Sequence, residues 1–160
     1  MFALIRALTY AAIFIGVVLV YVPASILSSA GISGPPGNGA AQIVAMVMVA
    51  GGVALALWCV LTFALVGKGT PAPFDPPRRL VIVGPYRFVR NPMYLGAGLA
   101  LLGLALYYGS ASLFGFVGLF LLIVFLFIVG YEEPTLRRTF GADYQAYTKR
   151  VGRFLPRLRG

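Results

Sequence analysis

The chain has 160 residues, of which 60% are hydrophobic and 11% are charged, whereas roughly a quarter of the residues in soluble domains are charged. Residues 7–67 and 91–131 contain no Asp, Glu, Lys or Arg, which excludes a soluble globular protein and indicates an integral membrane protein. The net charge is +9, and the absence of histidine excludes every mechanism or metal site that requires imidazole.

The two uncharged stretches predict four membrane-spanning helices, because each span needs about 20 mostly apolar residues. The spans are predicted over about residues 7–27, 41–66, 92–108 and 111–131. The third span is expected to begin at Pro92, since a proline in the first helical turn costs no hydrogen bond. The predicted fold class is therefore an all-α membrane protein, with residues 1–160 forming a single membrane domain.

The basic residues lie in three places: near the N-terminus at Arg6, in a connector at residues 67–91, and in a tail at residues 132–160. Positively charged loops stay in the cytoplasm, so both termini and the connector are predicted to be cytoplasmic. We expect the inner membrane of a bacterium or archaeon, with the active site facing the cytoplasm. Membrane lipid is the expected partner, and neither nucleic acid nor an obligate protein partner is predicted.

The tail carries an amphipathic pattern. Leu136, Phe140, Tyr144 and Tyr147 recur at helical spacing, and polar residues fall between them. This pattern predicts a C-terminal amphipathic helix that lies at the membrane interface or covers the site. In the connector, four prolines between residues 71 and 77 prevent a continuous helix.

Charged side chains flank the second uncharged stretch, with Arg87 and Arg90 before it and Glu132 and Glu133 after it. Adjacent helical residues differ by about 100° in direction, so one of the two glutamates can face the bundle interior. A carboxylate there requires a cation or hydrogen-bond donors, and we interpret the two charged groups as halves of one site. Alternatively, the glutamates mark the membrane interface or pair with the arginines one turn later.

Two further polar side chains lie where the connector enters the third span. Tyr94 is about one turn inside that span, where its hydroxyl group requires a hydrogen-bond partner. Asn91 can both donate and accept hydrogen bonds at the boundary. Both residues are therefore candidates for the same site.

Three sequence blocks carry a family resemblance. Residues 84–96 read Gly-Pro-Tyr-Arg-Phe-Val-Arg-Asn-Pro-Met-Tyr-Leu-Gly, and residues 132–134 read Glu-Glu-Pro. The third block, residues 140–156, begins Phe-Gly-Ala-Asp-Tyr and ends Phe-Leu-Pro. In this order and spacing, the blocks resemble the isoprenylcysteine carboxyl methyltransferase and phospholipid methyltransferase group, over about half of the chain.

The resemblance implies an integral membrane enzyme that uses S-adenosylmethionine as its cofactor and lacks the Rossmann-type fold of soluble methyltransferases. It implies cofactor contacts at Leu80, Val81, Tyr86, Asn91, Pro92, Met93, Tyr94 and Glu132. Arg90 and Glu133 are the residues that we predict to act in catalysis, and no metal is expected.

The methyl acceptor is predicted to be a lipophilic small molecule that reaches the site from the bilayer. Related carboxyl methyltransferases usually have histidine at the position of Asn91, so this chain looks closer to the phospholipid N-methyltransferase branch. An amine phospholipid headgroup is therefore favoured, followed by a prenylated or other hydrophobic carboxylate and then a small thiol. A protonated amine must first lose a proton, and Glu133 or Glu132 is the candidate base.

The alternative function is that of a non-enzymatic membrane protein, such as a small transporter or an assembly factor on the same scaffold. A transporter more often buries a charge in the middle of a span, and the four predicted spans contain no charged residue. Binding of S-adenosylhomocysteine distinguishes the two functions.

Overall fold

The computed structural model describes residue 9 and residues 12–67 and 79–157, and these residues form four long helices. The helices are α1 (Ala12–Ser29), α2 (Ala40–Val66), α3 (Pro92–Tyr108) and α4 (Ala111–Arg150). The described residues form no β-strand beyond one isolated parallel bridge, between Val89 and Gly152. This confirms the predicted all-α class.

Helices α1, α2 and α4 are each long and apolar enough to cross a membrane, which supports an integral membrane protein. Helix α3 is apolar but has 17 residues, so it extends about 25 Å and lies at the lower limit for a spanning helix. That α3 crosses the membrane, which would make four spans, and that both termini are cytoplasmic therefore stay predictions.

The helix bounds follow the predicted spans closely for α2 and α3. Helix α1 continues to Ser29, two residues beyond the predicted end, and passes through Pro23. A π-helical stretch, Ile15–Tyr21, ends two residues before that proline, and a proline inside a helix disturbs the hydrogen bonding of the preceding turn. The start of the first predicted span, most of the connector and residues 158–160 lie outside the described residues.

Helix α4 differs most from its prediction, because it does not end near Tyr131. A π-helical stretch, Ile128–Glu132, leads into a further helical segment, Glu133–Arg150, whose backbone departs from helical geometry at Gly141. The predicted tail helix is therefore present but continuous with the last span. Pro134 is tolerated because it lies in the first turn of that segment.

Helices α2 and α3 pack so closely that the glycines at their contact, Gly52, Gly96 and Gly103, have no room for a side chain. A Cβ atom on Gly52 would lie 2.5 Å from the backbone nitrogen of Ala100 and from the carbonyl oxygen of Gly96. A Cβ atom on Gly103 would lie 2.8 Å from the carbonyl oxygen of Ala45. Small residues permit this backbone approach, which is the usual basis of helix association in a lipid bilayer.

The first prediction tests this close contact with two neighbouring glycines of α2. Gly52→Ala should lower the stability of the protein by about 1–3 kcal/mol, because the new methyl group must push two backbones apart. Gly51→Ala is the matched control, since a Cβ atom there meets no atom within 4 Å. Thermal unfolding in lipid nanodiscs measures both variants, and equal melting temperatures would contradict the packing described here.

Candidate functional site

The described end of the connector forms a tight turn between the end of α2 and the start of α3, on the side that is predicted to face the cytoplasm. The turn is a short 3-10 helix, Gly84–Arg87, and Gly84 opens it with a φ of 58° that favours glycine. The Tyr147 hydroxyl donates a 2.6 Å hydrogen bond to the Tyr86 carbonyl oxygen, which ties the turn to α4. Burial raises the pKa of the Tyr86 phenol, so this ring stays neutral.

The end of the connector is held by backbone hydrogen bonds to the segment that follows α4. The Arg90 amide donates to the Gly152 carbonyl oxygen at 2.8 Å, and the Asn91 amide donates to the Arg153 carbonyl oxygen at 3.2 Å. The Asn91 side-chain amide donates to the same Arg153 oxygen, also at 3.2 Å. Three bonds therefore join two segments that lie about 60 residues apart in sequence.

Glu133 lies at the centre of a buried ionic cluster. Arg153 binds its carboxylate through two hydrogen bonds, from Nε at 2.7 Å and from Nη2 at 2.9 Å. Arg90 Nη1 lies 3.0 Å from the same carboxylate, and Arg137 Nη2 lies 3.9 Å away. The side chains of Glu133 and Arg90 are only 6% and 10% exposed, so solvent screens this pair weakly.

The cluster also determines the surroundings of Arg153 and Arg90. The hydrogen bonds to Glu133 raise the pKa of Arg153. Arg90 Nη1 also donates to the Tyr144 hydroxyl at 3.4 Å. The Nε atom of Arg90 is buried and has no partner among the described residues, so this donor remains free for another group.

Glu132 has a different environment from its neighbour. Its carboxylate accepts a 3.1 Å hydrogen bond from the Tyr94 hydroxyl, which supplies the partner that the sequence requires for this tyrosine. No other described side chain forms a hydrogen bond or an ion pair with Glu132. The two adjacent carboxylates are therefore unlike, because guanidinium groups compensate the charge of Glu133 and only a phenol binds Glu132.

The remaining predicted cofactor residues occupy two packing clusters. Val81 and Tyr86 are buried beside Cys59, and Met93 packs against them. Leu80 instead packs against Tyr144 and its neighbours in the tail cluster. Pro92 is buried at the start of α3.

The structure thus places Tyr94 with Glu132 and Arg90 with Glu133. The side chains of Leu80 and Val81, although adjacent in the sequence, pack in different clusters. Arg153 and Tyr144 belong to the same polar network, although sequence reasoning assigned Arg153 only to the basic tail. The sequence signal that could have identified Arg153 is the presence of two adjacent glutamates followed by a basic tail, because a buried carboxylate is costly unless a cation pairs with it.

The arrangement has two chemical capabilities. Glu132 offers a carboxylate, polarised by one phenol, that can pair with a cation or accept a proton. Arg90 offers a buried donor that can bind an anionic oxygen beside it. Glu132 and the Glu133 that binds Arg90 are adjacent in the sequence, which links the two groups through the backbone at the start of residues 133–150.

Comparison with known families gives one match. The family model described as Phospholipid methyltransferase matches residues 40–143, which is more than half of the chain. The chain therefore belongs to the phospholipid methyltransferase family, in agreement with the resemblance found in the sequence. No curated protein and no solved structure matches the chain.

The second prediction concerns the ionic cluster. Glu133→Gln should lower the free energy of unfolding by about 3 kcal/mol, because it leaves two guanidinium groups close together without their shared anion. Thermal unfolding in nanodiscs measures the loss. Asp143→Asn is the control, since this exposed carboxylate on α4 forms no ion pair with another described residue and should change the stability little.

A double-mutant cycle separates this effect from a general change in charge. Arg90→Gln combined with Glu133→Gln should cost less than the sum of the two single substitutions, because the double variant buries one fewer unpaired charge. Strict additivity, or a Glu133→Gln variant as stable as Asp143→Asn, would show that the cluster does not stabilise the fold.

Proposed function

We propose that this phospholipid methyltransferase family member transfers the methyl group of S-adenosylmethionine to a lipophilic acceptor at the cytoplasmic ends of its helices. Membership of the family implies a methyltransferase that acts on lipophilic substrates. The observation that carries the proposal is the Glu132 carboxylate, which is bound by Tyr94 and has no cationic partner among the described residues, next in sequence to the Glu133 that binds Arg90.

The charges of the donor fit these residues. S-adenosylmethionine carries a sulfonium and an ammonium group, which match the Glu132 carboxylate, and a carboxylate, which matches the free Nε donor of Arg90. The tyrosines at 86 and 94 add aromatic rings, and a cation near an aromatic face gains roughly 0.5–2 kcal/mol. When bound, the cofactor supplies an electrophilic methyl group.

Within this proposal the two glutamates have different roles. Glu132 contacts the cofactor, together with the other residues that the resemblance implies. Glu133 is a positioning residue, because its carboxylate is already shared among arginines and holds Arg90 in place. Arg90 is the catalytic residue of the pair, since its remaining donor can orient the cofactor.

An amine phospholipid headgroup remains the favoured acceptor, and it places a demand on the site. A protonated amine has no free electron pair, so it must give a proton to a base before its nitrogen can bond to the methyl carbon. Glu132 is better suited to accept this proton than Glu133, because protonating Glu133 would remove the anion that compensates Arg90 and Arg153. The site otherwise has to align donor and acceptor.

The third prediction tests cofactor binding. Glu132→Gln and Tyr94→Phe should each weaken the binding of S-adenosylhomocysteine by about tenfold, because each removes part of the bonded pair that receives the ligand. Calorimetric titration in nanodiscs measures the affinity. Tyr107→Phe is the matched control, since it removes a hydroxyl group from the opposite end of α3 and should leave the affinity unchanged.

The transfer itself is tested with a radiolabelled methyl donor and a total lipid extract, followed by identification of the labelled product. We expect label in an amine-bearing phospholipid, and loss of that label in Glu132→Gln. An intact parent protein that neither binds S-adenosylhomocysteine nor labels any lipid would overturn the proposed function. Label in a prenylated carboxylate or a thiol would overturn only the choice of acceptor.

A further inference from the structure

A second polar feature lies outside the proposed methyl-transfer site. A cavity of about 910 Å³ opens between the connector and the second half of α4, and we call it the arginine cleft. Four arginines and one aspartate line it: Arg79, Arg87, Arg150, Arg157 and Asp143. All five side chains are exposed, and the cleft has an excess of three positive charges.

The four arginines of the cleft have no acidic partner among the described residues. None of the four forms an ion pair with another described residue, in contrast to Arg90 and Arg153. Arg157 donates one hydrogen bond, to the Lys149 carbonyl oxygen, which leaves most of its guanidinium group free. Like charges gathered in one concave surface repel each other, so an anion in the cleft would relieve this repulsion.

The lining of the cleft also includes apolar side chains. Ile82 and Phe88 line the cavity and remain 46% and 56% exposed. Val83 and Leu155, next to lining residues in the sequence, are 46% and 78% exposed. Exposed apolar side chains beside a group of arginines match a ligand that carries an anionic head and a hydrocarbon part.

We propose that the arginine cleft binds the phosphate group of an anionic membrane lipid, with the apolar part of the lipid on Ile82 and Phe88. Arginine binds phosphate oxygens through paired hydrogen bonds, which suits this lining. The methyl donor does not fit the cleft, since it has two positive groups and one carboxylate and would be repelled. The cleft is therefore a lipid site separate from Glu132, and it requires no methyl transfer.

The test uses phosphatidylglycerol, which has an anionic phosphate and no amine and so cannot serve as an amine acceptor. The full chain is purified with equal amounts of phosphatidylglycerol and phosphatidylcholine, and native mass spectrometry counts the lipids that it retains. We expect the parent protein to prefer phosphatidylglycerol. Arg87→Gln combined with Arg150→Gln should weaken that preference about tenfold or more, since each basic residue near an anionic surface contributes on the order of a factor of five.

The matched control is Arg138→Gln combined with Lys149→Gln. It removes the same charge from exposed positions of α4 that do not line the cleft, and it should keep the preference. Equal losses in the two double variants would overturn the proposal in favour of general surface charge. Equal lipid retention in the cleft variant and the parent would overturn it as well. Thermal unfolding confirms that these exposed substitutions leave the fold intact.

Two further arms identify the ligand and separate this proposal from the proposed function. Inorganic phosphate and glycerol 3-phosphate at millimolar concentration should displace little phosphatidylglycerol, and complete displacement would mean that the cleft binds free phosphate instead. Glu132→Gln should retain phosphatidylglycerol as the parent does, even where cofactor binding fails. Displacement of the lipid by S-adenosylhomocysteine would show that the cleft belongs to the cofactor site, which would overturn the proposal.

Discussion

The ion pairs of Glu133 are the interaction on which the arrangement of the helix ends depends, at the side of the protein that is predicted to face the cytoplasm. One buried carboxylate binds Arg90 from the connector, Arg153 from the segment after α4, and Arg137 from its own helix. A buried charge is expensive unless it is paired, so the three chain segments cannot separate without exposing or orphaning a charge. The backbone bonds from Arg90 and Asn91 to residues 152 and 153 add to the same junction.

The close contact of α2 and α3 orients this junction. Because Gly52 and Gly96 bring the two backbones together, the start of α3 is fixed against α2, and Tyr94 lies within one turn of that contact. Tyr94 is therefore presented to Glu132 by a rigid helix rather than by a loop. Sites on packed helices hold their geometry better than sites on loops, which matters for a reaction that depends on alignment.

Charge distribution made much of the fold predictable, and local geometry accounts for the rest. The uncharged runs and Pro92 predicted spans at about residues 41–66 and 92–108, and α2 and α3 lie there. The last predicted span, residues 111–131, is part of a longer helix, because the π-helical stretch before Glu133 lets α4 continue past Gly130 and Pro134. The sequence indicated that the Tyr94 hydroxyl needs a hydrogen-bond partner and that the glutamates and arginines lie close together. Only the fold shows that Tyr94 binds Glu132 and that Arg153 binds Glu133.

The different partners of Glu132 and Glu133 indicate how one small protein could bind two ligands of opposite charge at different places. Arginines compensate Glu133, whereas among the described side chains only the Tyr94 phenol binds Glu132, so under the proposed function Glu132 is the group that would attract a cationic methyl donor. The arginine cleft, whose lining does not include Glu132, has the opposite sign and would repel that donor while attracting a lipid phosphate. Electrostatic attraction mainly directs which ligand approaches which surface, so the two sites need not compete for the same molecule.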